Sequence, residues 1–223
     1  MSLIKTGFQM FIFGDKNLNL ENFKTNHSHL TPILLQQVHS TIIIEQKAAL
    51  EIKEATHILN LTSSSQSKAD GHYTTQNNLA LGIVTADCMP VFIFSEKTIF
   101  AIHAGWRGAL NGIVDQALNL IKSEFKNESF QLYVGPHIQK DSFEVSKDVA
   151  QQFYQKNSQC IYSHQEQNKA YVSLTDFIYP NIKQTPQIKD VQFSNINTFT
   201  NQNYNSYRRE KEQAKRNLSF IWL

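Results

Sequence analysis

Among the residues whose side chains can bind metal or attack carbon, three sit in compact local patterns. They are His39 in Gln37-Val38-His39-Ser40, Cys88 in Thr85-Ala86-Asp87-Cys88-Met89-Pro90, and His103 in His103-Ala104-Gly105-Trp106-Arg107-Gly108. Two imidazoles and a thiolate suit zinc, and three protein ligands leave the fourth tetrahedral position open to water or substrate. An open position marks a catalytic site, since a structural zinc recruits a fourth side chain. The expectation is an enzyme with one catalytic zinc on His39, Cys88 and His103. Forty-eight residues lie between the first two and 14 between the second two, and no Cys-x-x-Cys is present. The inference therefore rests on residue type and on placement at strand ends and turns.

The neighbouring charges extend this chemistry. Asp87 is costly in an apolar setting without a partner, so it reads either as a general base or as a carboxylate orienting a ligand histidine. Asp70 is the other carboxylate near enough in sequence for such a role. Arg107 at a helix start, with Arg208 and Arg209, suits an anion, because guanidinium groups bind phosphate through paired N–H donors. Lys211, Lys215 and Arg216 read as a solvated basic helix face. Two rival chemistries use the same residues. Cys88 could be the nucleophile of a Cys–His hydrolase with His103 or His39 as base. Alternatively, Cys88, two histidines and Met89 could hold copper for oxidation of phenols. A multicopper enzyme needs more histidines, and of the eight here only His27-Ser28-His29 forms a His-x-His pair. A binding protein without turnover is the third alternative.

The elements that must position these residues follow from periodicity. Apolar and β-branched runs predict strands at 11–14, 33–38, 41–45, 57–61, 80–85, 91–94, 99–103, 131–134, 171–174, 191–193 and 220–223. Val114, Leu118, Ile121 and Phe125 fall on one helical face, which predicts a helix over 109–125. Weaker helical patterns cover 147–156, 176–183 and 204–215. Strands and helices mix without strict βαβ alternation, giving an α+β fold built as one layered domain over 1–223. In this reading His39 ends a strand, Cys88 occupies a turn between two strands, and His103 ends a strand just before a helix. Gly105 and Gly108 allow the tight turn there, and the helix start behind them favours an anion.

Composition bounds the function. The 223 residues carry 21 basic and 19 acidic side chains, a net charge of +2, so no basic stripe calls for nucleic acid. The two cysteines are too few for a disulfide framework, and a thiolate ligand suits a reducing compartment. No run of apolar residues is long enough to cross a membrane, and the N-terminus lacks a signal-peptide pattern. The expected location is the cytoplasm. Nothing in the sequence fixes an oligomeric state.

Taken in order, Gln37-Val38-His39, Ala69-Asp70-Gly71, Thr85-Ala86-Asp87-Cys88-Met89-Pro90, His103-Ala104-Gly105-Trp106-Arg107-Gly108, Gly135-Pro136-His137-Ile138 and Ser206-Tyr207-Arg208-Arg209 resemble the motif series of the bacterial YfiH family. That family has been described both as laccase-domain polyphenol oxidases and as purine nucleoside phosphorylases. The resemblance implies a layered α+β fold and zinc at His39, Cys88 and His103. It also implies phosphorolysis of purine nucleosides, methylthioadenosine included, and deamination of adenosine. Purine nucleosides and phosphate would be the ligands, with Arg107 and Arg208 on the phosphate and Cys88 and Asp87 at the reacting centre. In a zinc deaminase the metal lowers the pKa of a bound water towards ~7, and a carboxylate moves the proton. The chain departs from the family pattern at 13–20, where an expected Arg is missing, at His137-Ile138-Gln139, and at Asn197-Thr198 and Ala214-Lys215-Arg216.

Overall fold

The computed structural model describes residues 2–6, 9–47 and 67–223. Two β-sheets lie face to face with helices outside both, an α+β sandwich of layers. One sheet orders its five strands β1 (Ser2–Thr6), β2 (Gln9–Phe13), β14 (Asn217–Trp222), β6 (Leu79–Thr85) and β3 (Thr31–Leu34). The other orders six, β13 (Ile188–Phe193), β9 (Phe130–Val134), β7 (Met89–Phe94), β8 (Ile99–Ala104), β5 (Gly71–Thr74) and β4 (Ile43–Glu45). Both sheets are mixed, with parallel pairs β3/β6, β4/β5 and β9/β13. A small antiparallel sheet of β10 (Glu144–Ser146), β12 (Lys169–Val172) and β11 (Ile161–Ser163) packs beside the helices.

Alternation along the strands sorts the core into layers. Phe11, Leu81, Ile83, Phe92, Phe94, Ile99, Ala101 and Ile221 fill the space between the two large sheets. The opposite faces of the same strands send Ile12, Ala80, Phe220 and Trp222 towards α1 (Leu20–Asn26). On the far side, Val91, Ile93, Phe100, Ile102 and Leu132 pack against α2 (Trp106–Asn111), α3 (Ile113–Glu124), α4 (Lys147–Lys156) and α5 (Leu174–Lys183). In β8, Ile99 and Ala101 face the other sheet, so His103 continues that inward row.

Most predicted strands are present with ends shifted by one or two residues. The segment 57–61 lies outside the described residues. The helix expected over 109–125 is two helices, because Gly112 takes φ +91° and ends α2 before α3 begins. The apolar stripe reads correctly, but it belongs to α3, where Val114, Leu118 and Ile121 are buried. The helix expected over 204–215 shrinks to the single turn α6 (Tyr207–Glu210) and a 3₁₀ turn at Lys211–Gln213. Leu174 starts α5 rather than ending a strand, with the Ser173 hydroxyl accepting from the Asp176 N–H. Helix α1 escapes periodicity because it spans seven residues and buries only Leu20 and Phe23. Among the described residues no helix is long and apolar enough to cross a membrane.

Candidate metal centre

Cys88 belongs to a crossing between layers. Strand β6 ends at Thr85 in one large sheet, and β7 begins at Met89 in the other. The three residues between them carry the chain across the end of the sandwich. Asp87 makes the turn with φ +83°, a conformation that Asp and Asn tolerate better than most residues. Cys88 is thereby presented at the open end, half-buried.

His103 arrives from β8. The antiparallel register pairs Gly71 with Ile102, which sets Asp70 directly beside His103. The His103 N–H donates to the Asp70 carbonyl at 2.7 Å, and its Nδ1 meets Asp70 Oδ1 at 2.8 Å. With Nδ1 so engaged, Nε2 is the nitrogen left to face the site.

His39 does not end a strand. Strand β3 stops at Leu34, and His39 stands in the following loop with φ +60°. Gln37 fixes the loop by clamping the β6 backbone: its amide donates to the Val84 carbonyl at 2.7 Å and accepts from the Val84 N–H at 2.9 Å. The N–H groups of Val38, His39 and Ser40 then converge on the Asp70 carboxylate at 3.1, 2.9 and 2.6 Å, and the Ser40 hydroxyl adds a bond at 2.8 Å. One fully buried carboxylate therefore sets both histidines.

The result is a convergent donor set. The ligand atoms of His39, Cys88 and His103 all lie within 4.8 Å of one another, and the two rings stand 4.9 Å apart at 71°. Gly105 makes room for them, because a Cβ there would sit 2.7 Å from His39 Cδ2 and 3.1 Å from Cys88 Sγ. Electrostatics suits metal binding, which needs a thiolate and supported imidazoles. Burial would raise the Cys88 thiol, but His103 and His39 outweigh it and bring it down to about 6. Burial likewise opposes a charged His103, and the Cys88 thiolate with Asp70 lifts it to about 9. Asp70 is held down at about 2, the hydrogen bonds from His103 and Ser40 overcoming its desolvation. The residues thus fit a metal ion with a free coordination position. Glu144, His164 and Glu166 form the other acidic and histidine group among the described residues. There the Lys169 ammonium already supplies the cation, at 3.2 and 2.9 Å from the two glutamates.

The donor set opens into a cavity of about 750 Å³, a size that suits a small organic ligand. Leu35, Val84, Ile138, Phe143 and Leu174 give it apolar walls, and Trp106 lines it with Arg107 lying 4.2 Å over its ring. The opposite rim is the C-terminal arm, with Tyr207, Arg208, Lys211 and Arg216. Arg208 lines the cavity as expected, with one guanidinium nitrogen donating to the Glu144 carbonyl at 2.8 Å. Arg209 does not reach the cavity. Its guanidinium is spent on the carbonyls of Thr198, Phe199 and Tyr204 and on Glu210.

Among the described residues Asp87, unlike Asp70, makes no hydrogen bond to His39 or His103. Its carboxylate accepts from the hydroxyls of Thr198 (2.7 Å) and Ser206 (3.0 Å) and from the Arg208 N–H (2.6 Å). It ties the metal-site turn to the C-terminal arm. His137 is buried, with Nδ1 on the Gly135 carbonyl at 2.8 Å, and lies outside the cavity wall. Of the described histidines only His39 and His103 line the cavity; His27 packs on Trp222 instead. Both cysteines are free. Lys211 and Arg216, which pattern reading assigns to a solvated helix face, and Tyr207, to which it gives no role, line the cavity where the helix breaks at Lys211.

A two-sheet α+β sandwich with a His/Cys/His group that could hold a metal ion, opening into a cleft lined by cationic side chains, defines the class. The chain belongs to the YfiH family: residues 15–223 match the family described as multi-copper polyphenol oxidoreductase laccase. It is 28% identical over 212 residues to a purine nucleoside phosphorylase of Clostridium acetobutylicum, covering 92% of this chain and 82% of that one. It is 30% identical over 201 residues to a purine nucleoside phosphorylase of Haemophilus influenzae, covering 86% and 75%. Among solved structures, a DUF152 protein of Neisseria meningitidis shares the fold with a TM-score of 0.78 at 22% identity, covering 98% of this chain and 95% of that one. YlmD of Geobacillus stearothermophilus aligns with a TM-score of 0.79 at 18% identity, covering 91% and 77%.

Proposed function

We propose that the whole chain, 1–223, is one catalytic domain that phosphorolyses purine nucleosides with zinc held by His39, Cys88 and His103. The observation that carries this is the convergence of three metal donors in a cleft whose rims bear Arg107 and Arg208. The relatives named purine nucleoside phosphorylase supply the substrate class. A free thiolate fits a cytoplasmic setting.

Phosphorolysis breaks the bond between the sugar C1′ and the purine nitrogen, and a phosphate oxygen takes the purine's place. The cleft must therefore hold an anion and a flat apolar base together. Arg107 and Arg208 bind the phosphate through paired N–H donors. The purine lies against Trp106, Phe143 and Tyr207. Zinc would supply Lewis-acid charge at its open coordination position. Asp70 keeps both histidines aimed at that position, and Asp87 keeps Arg208 seated. Methylthioadenosine phosphorolysis belongs to the same proposal, with phosphate again displacing the purine at C1′, and so does adenosine deamination, in which a water takes the place of the amino group at purine C6 and ammonia leaves.

One geometric observation favours a second reading. Cys88, His103 and Asp70 form a row of thiolate, imidazole and carboxylate, the arrangement of a nucleophile, its base and an orienting group. His39, the third donor at metal-binding distance, weighs for the metal. Elemental analysis combined with phosphate-dependent release of base from inosine and adenosine separates the two. About one zinc per chain with phosphate-dependent base release is the expected result, and inosine formed from adenosine without phosphate adds deamination. Metal-free protein that is inactivated by alkylation of Cys88 would replace the phosphorylase by the hydrolase. Copper in place of zinc, with turnover of phenols, would establish the oxidase.

A further inference from the structure

Among the described residues, the non-glycine residues with positive φ are His39, Asp87 and Lys211, and all three line the same cavity. Such conformations are uncommon outside glycine and gather at functional sites, where neighbouring structure holds them in place. For His39 and Asp87 the holding partners are Asp70 and the Thr198–Ser206–Arg208 set. Lys211 is different. Its backbone sits at φ +53°, ψ −132°, and neighbouring carboxylates are spent elsewhere. Glu210 pairs with Lys16 at 3.4 Å and Arg209 at 2.6 Å, and Glu212 accepts the Tyr207 hydroxyl at 2.9 Å. Among the described residues no carboxylate pairs with Lys211 or Arg216; one Arg216 guanidinium nitrogen donates to the Ala214 and Lys215 carbonyls at 2.7 and 3.3 Å, which leaves its charge unneutralised.

Charge balance in the cavity leads the same way. Its walls carry Arg107, Arg208, Lys211 and Arg216 against a single carboxylate, Asp87, whose oxygens already accept three hydrogen bonds. A phosphate dianion engages Arg107 and Arg208 in the proposed phosphorolysis, and a nucleoside adds no charge. Two cations remain, both on the C-terminal arm. In a ribose, C5′ hangs from C4′, across the ring oxygen from C1′, so a group on C5′ projects away from the reacting bond.

We propose that Lys211 and Arg216 form a second anion subsite, and that the cavity recognises purine nucleosides carrying a 5′-phosphate. This rests on the purine nucleoside reading above and extends it to a phosphorylated ligand class. Lys211, on a positive-φ backbone, and Arg216 both line the cavity together with Tyr207.

Isothermal titration of the metal-loaded protein with inosine 5′-monophosphate and with inosine, at low salt, tests this. The monophosphate should bind at least about tenfold tighter, the scale of one charge-assisted contact, and the preference should shrink with added salt. Lys211→Gly removes the ammonium while relaxing the positive-φ backbone, so loss of fold does not confuse the result. In Lys211→Gly combined with Arg216→Met the ratio of the two affinities should fall to about one. Equal affinities in the unaltered protein would overturn the proposal, as would a preference that survives in the double variant. Monophosphate bound through Lys211, with inosine neither bound nor phosphorolysed, would keep the subsite and remove the phosphorylase reading. Failure of both ligands to bind would overturn the two together.

Discussion

Each wall of the cleft is organised by one aspartate, and the two walls differ in what that aspartate gathers. Asp70 is fully buried and collects donors from its immediate structural neighbours, the 38–40 loop and His103. It fixes groups that must converge within a few ångströms. Asp87 collects Thr198, Ser206 and Arg208, more than 100 residues away in sequence. It fixes a segment that is otherwise short on regular structure and rich in exposed cations. The first wall is thus built for one geometry, whereas the arm meets the Cys88 turn through a single carboxylate and is otherwise held by Arg208 on the Glu144 carbonyl and Glu210 on Lys16. In the proposed function the first wall supports the reaction, and the second holds the ligand against it.

The largest expected effect comes from Asp70→Asn. The amide keeps the shape but turns an NH₂ towards donors that need an acceptor, and it leaves His103 free to change tautomer. Metal affinity should fall by roughly 10- to 100-fold, the usual scale for losing such a supporting carboxylate, as measured by competition with a chelator. Unchanged affinity would show that the two walls are not organised as argued. The proton side of the same comparison is visible in metal-free protein. Cys88 is lowered from 9.0 to about 6, so its thiolate is present above that pH and is lost as pH falls through about 6. The rate of Cys88 alkylation should therefore level off well below pH 8, and bound metal should suppress it. Asp70 works in the same direction at lower pH. Its folded value of about 2 lies below the ordinary 3.8, so its contribution to stability is complete above 3.8 and disappears as pH falls through about 2.

The metal wall was legible in the sequence and most of the arm was not. Cys88 and His103 stand in short motifs whose Gly, Pro and Asp residues dictate turns, whereas His39, in Gln37-Val38-His39-Ser40, was marked by its residue type and by the family resemblance. Asp70 was visible as a carboxylate, but its partnership with His103 is set by the β5/β8 register, which pattern reading does not provide. Asp87 was read as a base or as the orienting group of a histidine. Its actual partners lie at the far end of the chain, where only tertiary structure joins them. The arm misled for a local reason as well: residues 204–215 have the composition of a helix, yet Lys211 takes a positive φ and ends α6 after one turn. The layered α+β class followed from strand periodicity, whereas the division of β6 and β7 between two sheets had no sequence signal.

Asp87→Asn should have a smaller and different effect. Asparagine keeps the positive-φ turn that presents Cys88, so metal content should be unchanged. The arm loses an acceptor for one of three donors and seats Arg208 less firmly. The KM for phosphate should rise about tenfold with a lesser change in kcat, the cost of one charged hydrogen bond. Loss of metal in this variant would mean that Asp87 supports the donor set and that the division between walls is wrong.

The smallest effect sharpens the comparison furthest. Ser206→Ala removes one donor to Asp87 and also the hydroxyl that accepts from the Arg209 N–H at 3.3 Å, while Thr198 and the Arg208 N–H remain on the carboxylate. A hydrogen bond to a charged group contributes roughly 1.5–3 kcal/mol, but the two donors left on the carboxylate still hold the arm, so only part of that reaches Arg208 and the KM for phosphate should rise about fivefold at most, again without loss of metal. Combined with Asp87→Asn, the second change should add less than it does alone, because both act through one contact. Strict additivity would instead mean that Ser206 orders the arm through α6 and Arg209. The carboxylate would then not be the contact through which Ser206 holds the arm.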